Sequence, residues 1–408
     1  MMLSTARSSL CRLLPLVAAV ASLGAQAQSS QSAFTFSGFA TLGVVGTNTN
    51  EAHYVLPGQV RGGDKSFSGE VDSKLGLQAT GRLNSVFSGT AQLLTKHNGK
   101  GSFTPELEWA FVKAQLLPSL AMRAGRMGAP FFAVSDFRDV GYANTWLRPP
   151  LDVYGQVPVS HFDGVDGLYQ TNIGSATVSA QVFAGSSSAH FERTKLKLKD
   201  LMGFNTTAEL DGGITLRLGH AVGKITVESA TLDQLVAGLR GVPLPTVSSV
   251  GDQLSARSKD VSFTGVGLAF DEGNWLFNSE YTLRRTKTYI PDTTGWYTTL
   301  GYRVGKFTPY LTLSRLKVDD NNVDNTIPLG LSPQLNGLKA LVDGTVEGQR
   351  TEQKTVALGL RWDAMRNVAV KTQFDRISPK GAGLFTRVQP GFGSGHVNVY
   401  SLAVDVVF

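Results

Sequence analysis

Residues 127 to 161 read MGAPFFAVSDFRDVGYANTWLRPPLDVYGQVPVSH. Five charges stand within this stretch: Asp136, Arg138, Asp139, Arg148 and Asp152. No helical or strand periodicity runs through it, and Pro149-Pro150 stiffens its centre by fixing two φ angles. Carboxylates and guanidinium groups held close together beside a narrow column of water create a transverse field that orients polar solutes. Such a field needs a stretch that is held in place and water that is enclosed. Phe131, Phe132, Tyr142, Trp146 and Tyr154 suit the first need, because buried aromatic rings fix a loop to a wall.

Other chemistries find less in the sequence. Covalent catalysis needs a nucleophile, a base and an orienting group brought together. The six histidines, His53, His97, His161, His190, His220 and His396, are scattered and mostly lie between periodic segments. Ser160 and His161 are adjacent, but neighbours on an extended chain point to opposite faces. No catalytic residue is assigned. GDKSFSGEVDSK (63–74) has acids and glycines without the regular spacing of a calcium loop, so neither a metal nor a cofactor is expected. KLKLK (195–199) reads as a solvated patch in a long polar loop, or a contact for phosphate groups.

The segments that would hold the charged stretch alternate in polarity with a period of two, which marks strands with two different faces. They run over 34–45, 72–83, 86–96, 106–116, 120–126, 162–170, 176–184, 201–210, 214–227, 260–270, 274–285, 294–304, 306–316, 351–362, 367–376 and 396–408. Sixteen strands are joined by seven short turns and eight longer connections in strict alternation. Turn signals such as Asn172-Ile173-Gly174 and Asp211-Gly212 fall at the short joints.

The first residues set the compartment. Arg7 and Arg12, the apolar run LLPLVAAVASL (13–23) and AQA (25–27) have the order of a secretory leader cleaved after residue 27, too short to span a bilayer. The mature unit is then a single domain, 28–408. Cys11 is the only cysteine, so the mature chain has no disulfide. The leader holds two arginines and no acid, so the formal net charge falls from +6 to +4. That modest, dispersed charge on an exported chain makes nucleic acid an unexpected partner. Mean hydropathy is near zero, as expected when alternate residues face water and lipid.

Parity decides between a soluble sandwich and a membrane barrel. Leu75, Leu77, Ala79; Leu107, Trp109, Phe111; Val178, Ala180, Val182; Trp275, Phe277, Tyr281; and Val368, Val370, Phe374 form consistent apolar faces. The opposite parity carries most strand charges, including Arg123, Arg217, Arg361 and Lys371. Lys113, Arg315, Arg376 and His220 break the rule. Arg or Lys at the bilayer midplane costs roughly 2–4 kcal/mol, and an open sheet edge in lipid is excluded because its backbone groups go unpaired. Closure follows, with water inside. Trp109, Trp275, Trp296, Trp362, Tyr400 and Phe408 are candidates for the interfacial girdles.

The chain ends HVNVYSLAVDVVF, with Tyr400, Leu402, Val404, Val406 and Phe408 on one parity. This resembles the C-terminal signature that the barrel-assembly machinery reads in bacterial outer-membrane proteins. With the leader and the sixteen-strand pattern, the whole mature chain resembles the general porins of Gram-negative bacteria. The resemblance implies an all-β fold: a 16-stranded antiparallel transmembrane barrel with long external loops and a third loop folded inward. It implies a homotrimer in the outer membrane, with lipid and lipopolysaccharide around it. Asp136, Arg138, Asp139, Arg148 and Asp152 would then line a constriction opposite Arg123, Arg217, Arg361 and Lys371. Nine basic against seven acidic inward residues favour a weak anion preference in a passive channel for small hydrophilic solutes. Alternatives are a substrate-specific porin with Tyr142, Trp146 and Tyr154 as a track for a sugar or carboxylate, a barrel enzyme, and an adhesin.

Overall fold

The computed structural model describes residues 33–393 and 395–408. The expected leader lies outside the described residues. Sixteen strands close into one antiparallel barrel: β1 (Phe34–Thr47), β2 (Lys74–Arg82), β3 (Phe87–Lys96), β4 (Glu106–Leu117), β5 (Leu120–Gly128), β6 (His161–Ile173), β7 (Ala176–His190), β8 (Lys195–Leu210), β9 (Ile214–Glu228), β10 (Lys259–Glu272), β11 (Trp275–Thr286), β12 (Asp292–Tyr302), β13 (Phe307–Asp320), β14 (Glu352–Met365), β15 (Val368–Lys380) and β16 (Val397–Val407). Each strand pairs with its sequence neighbours, and β1 closes on β16 with Phe39 opposite Val407. Phe408 completes that seam, exchanging backbone hydrogen bonds with Gly38 in both directions. Closure leaves no open edge, as hydrocarbon requires.

The joints sort by length, except that 191–194 is as short as the turns 83–86 and 303–306. One rim has tight turns, such as Asp211-Gly212-Gly213, where both glycines take φ near +74° and +73° that a side chain would oppose. The other rim carries L1 (48–73), L2 (97–105), L3 (129–160), L4 (191–194), L5 (229–258), L6 (287–291), L7 (321–351) and L8 (381–396). L5 holds two helices, Ala230–Arg240 and Pro245–Leu254, and L7 holds Pro333–Glu347. These have the signals of helix ends: Ser229 and Ser332 as N-caps, Pro245 and Pro333 at the first turn. No helix among the described residues is long and apolar enough to cross a membrane.

The outward face is an apolar belt, with Leu77, Val112, Val182, Val266 and Leu358 each about half exposed. Trp275 packs edge-on against Tyr302, and Phe307 stacks on Trp362, at the short-turn rim. Tyr400 and Leu402 of the terminal strand share this exposure, while Val406 is buried in the seam.

Two sequence expectations are corrected here. A bulge on β4 sets Gln92 opposite Trp109 but Leu93 opposite Leu107, leaving Glu108 as the extra residue. One extra residue reverses parity. Trp109 and Phe111 therefore face the lumen rather than lipid, and so does Lys113, opposite Arg123. KLKLK is not in a loop: it opens β8, with Leu198 buried inward. His220 does break the parity rule as read: it stays on the lipid-facing parity with Leu218, and its Nδ1 meets Thr264 Oγ1 at 2.8 Å.

Candidate functional site

L3 leaves β5 at Gly128 and packs against the inner surface of β10 to β16. Aromatic residues do much of the holding. Phe132 stacks on Tyr154 with ring centroids 4.5 Å apart and meets Phe263 edge-on. Phe131 also packs on Phe263. Trp146 sits edge-on to Tyr297 and donates from Nε1 to Thr299 Oγ1 at 2.7 Å. The Tyr154 and Tyr297 hydroxyls both donate to Glu280 Oε1. Tyr142 lies under the Arg361 guanidinium, 5.0 Å from ring centroid to Cζ. With these rings buried or covered, Tyr142, Trp146 and Tyr154 do not form a stacking track for a solute.

The wall cations grip the same loop. Lys371, fully buried, donates to the carbonyls of Gly141, Asn144 and Trp146 at 2.6–2.9 Å and pairs with Asp405 at 2.9 Å. Arg361 donates to the carbonyls of Tyr142 and Asn144, and Arg217 to those of Pro130 and Phe131. Backbone carbonyls turned toward a wall are costly unless paired, and cations are strong donors for them. Gly141 permits the contact, because a Cβ there would lie 2.0 Å from Asp405 Oδ1. Arg217, Arg361 and Lys371 therefore do not look across a gap at L3, as their inward parity suggested; they clamp it. Arg123 is held by the Asp166 carboxylate on β6.

Two of the five loop charges are fastened as well. Arg148, 4 % exposed, donates to both Asp72 oxygens at 2.9 and 2.7 Å, and to Asp375, Ser401 and Tyr54. Asp152 is enclosed and accepts from Ser314 Oγ at 2.7 Å. Asp152 does not line the gap on the β2–β5 side, and Arg148 borders it with its charge already spent on two acids. Burial lifts the Asp152 carboxyl to about 6, with the Ser314 hydrogen bond offsetting part of the rise. A carboxyl raised above its unfolded value favours folding while protonated, and that contribution is lost as pH rises through about 6. We expect thermal stability to fall between about pH 4 and 6 by on the order of 1–3 kcal/mol, and Asp152→Asn to remove the dependence. A melting temperature in wild type that is flat across this range would refute it.

The remaining charges face open space on the β2–β5 side. A cavity of about 440 Å³ is lined there by Lys74, Lys96, Arg138 and Asp139, under the L1 tip at Leu56-Pro57-Gly58. Asp139 lies 3.1 Å from Lys96, 3.8 Å from Lys74 and 3.8 Å from Arg138. Burial pushes its carboxyl up, but Lys96, Lys74 and Arg138 outweigh that and hold it well below the usual carboxylate range. Asp136 is exposed, next to Trp109 at the Gly128 bend. Lys113, missed by a strict alternation, adds a cation lower on this wall.

Ser160 and His161 do meet, with Oγ 3.2 Å from Nδ1. Glu108 reaches that same Nδ1 at 3.6 Å, whereas a nucleophile-activating arrangement sets its orienting carboxylate on the ring's other nitrogen. Among the described residues no cluster of three His, Cys, Asp or Glu is placed to hold a metal.

A closed barrel of sixteen strands, a loop clamped across its interior and an aqueous gap beside it form the setting in which comparison with known proteins is informative. The family model described as Gram-negative porin matches residues 16–382. The chain belongs to the Gram-negative porin family. Among solved structures, the porin is similar to OmpF of Salmonella typhi in complex with daunomycin, at 12% identity and a TM-score of 0.56. That match covers 92% of this chain and 97% of the other. It is also similar to the anion-selective porin from Comamonas acidovorans, at 14% identity and a TM-score of 0.53, over 92% and 99% of the two chains. OmpT of Vibrio cholerae matches at 11% identity and a TM-score of 0.53, over 93% and 99%. At these identities the structures speak for the fold. Among curated proteins no match is found. Family and fold together place the porin as an integral outer-membrane channel.

Proposed function

We propose that this porin is a passive diffusion channel for small hydrophilic solutes with a weak preference for anions. The observation that carries the reading is the imbalance at the gap: Lys74, Lys96 and Arg138 share the single carboxylate of Asp139 within 4 Å. Arg148 adds no positive charge there because Asp72 and Asp375 together outweigh it. Screening lengths near 8 Å in physiological salt mean that charges at the narrowing dominate selectivity. The preference is weak because two acids, Asp139 and Glu106, remain at the gap and the gap is wet.

Planar-bilayer reversal potentials in a salt gradient test this. Wild type is expected to favour chloride over potassium by a few-fold, and the double substitution Lys74→Glu, Lys96→Glu to reverse the sign. Cation selectivity in wild type would overturn the reading. The family supports assembly as a homotrimer amid lipid and lipopolysaccharide, with cleavage after residue 27. The alternating C-terminal residues Tyr400 to Phe408 support recognition by the barrel-assembly machinery. Phe408→Ser is expected to lower the amount of assembled barrel in outer-membrane fractions without changing the conductance of what assembles.

A further inference from the structure

The inner faces of β8 to β10 break the rule that governs the rest of the lumen. Near the long-loop rim their inward residues are Leu198, Ile225, Val227 and Phe263, all buried, where a water-filled wall would carry polar side chains. They line a cavity of about 510 Å³, closed by L3 at Val157 and by L8 at Phe385. Among its lining residues only one side chain is charged at neutral pH: Arg284 of β11. Cavities of this size, mostly apolar with a few placed polar groups, are the usual form of small-molecule sites.

Arg284 is held but not neutralised. Its Nη1 donates to the Gln156 carbonyl at 2.8 Å and its Nη2 to the Pro291 carbonyl at 3.0 Å. Its Nε is buried without an acceptor, and no carboxylate among the described residues lies within ion-pair distance of it. Asp292 acts on it from beyond ion-pair distance, with its oxygens engaged by the Thr286 N–H, the Asn322 amide and Arg285. Two carbonyls fix the direction of the guanidinium without cancelling its charge, and an apolar surround makes an uncompensated cation costly. An anion with an apolar body would relieve both the charge and the exposed hydrocarbon. Tyr289 also lines the cavity, and its hydroxyl adds a polar group to a largely apolar wall.

We propose that this cavity binds a carboxylate with an aromatic or aliphatic body, the carboxylate on the Nη edge of Arg284 and the body against β8 to β10. The site shares the L1 tip and the Val157–Val159 arm of L3 with the cationic gap. A bound anion therefore stands one partition away from Lys96 and Arg138. This names a substrate class for the channel, and it rests on the channel reading for the route onward but not for binding.

Calorimetric titration of the full barrel in lipid nanodiscs, with empty nanodiscs as the blank, tests it using 4-phenylbutyrate. Saturable binding is expected, weaker by at least about tenfold for acetate, which lacks the body, and for 4-phenylbutanol, which lacks the charge. Arg284→Gln should cost at least about tenfold, and Arg284→Lys less. The ligand series needs no substitution and decides the matter even if Arg284→Gln fails to fold. Absence of saturable binding, equal affinity for the acid and the alcohol, or unchanged affinity in folded Arg284→Gln would overturn the site. Binding without ion conductance in bilayers would keep the site and sink the channel reading; conductance without binding would do the reverse.

Discussion

Excising residues 131 to 154 and rejoining the ends with a short Gly-Ser link is expected to raise single-channel conductance by at least about twofold, because sixteen strands enclose a lumen that wall side chains cannot fill. L3 is what fills it. Its rings occupy the space against Phe263, Tyr297 and Thr299, and its backbone occupies the space in front of Arg361 and Lys371. The deletion leaves those groups unclamped, but in a lumen that floods with water as the loop goes. A flooded Lys371 keeps Asp405 as a partner, and Arg217 and Glu280 become solvated wall charges. The barrel itself depends on backbone ladders that the deletion does not touch. Bilayer recordings decide the point. An unchanged step size would mean that L3 does not limit the passage, and the account of the gap beside Asp139 would fall with it.

The strands were legible because the signals that make them are local. Alternation and glycine at the tight turns are properties of a few adjacent residues, and each strand read from the sequence has its counterpart in the barrel. What escaped was set at a distance or by one residue. The bulge at Glu108 leaves no mark in composition, yet it turned Trp109, Phe111 and Lys113 around. The L5 helices had a serine cap and a proline start, but they sit inside a segment long enough to read as irregular. The roles of the charges were the least legible. Parity correctly turned Arg361 and Lys371 inward. Whether an inward cation faces water or grips a carbonyl depends on Gly141 coming to rest against Asp405, two residues far apart in the sequence. Arg148 and Asp139 look alike in the loop sequence. One meets two buried acids, the other meets three cations beside open space.

That difference makes Arg148→Met the substitution with the largest expected cost to the protein. Asp72 and Asp375 are each about as buried as the arginine between them. Removing the cation leaves two enclosed carboxylates facing each other without a counter-charge. Breaking a buried pair from one side typically costs 3–5 kcal/mol, roughly the range expected here, since the orphaned charge loses its partner without regaining water. The effect reaches past stability. Arg148 ties the middle of L3 to L1 through Asp72, to β15 through Asp375 and to β16 through Ser401. With that knot undone, L3 keeps its aromatic anchors on one side and the Lys371 clamp on the other, but the Pro149-Pro150 segment between them is free to shift. Arg148→Met should lower the temperature at which the folded barrel loses its compact electrophoretic migration, and it should add current noise to an otherwise steady open channel. The triple substitution Arg148→Met, Asp72→Asn, Asp375→Asn separates the two effects. It removes the orphaned charges without restoring the tie, so it should recover most of the lost stability while the noise remains. If the single substitution melts like wild type, the arginine is not the counter-ion that holds these acids. If the triple substitution silences the noise, the loop is held by its rings and by Lys371 alone.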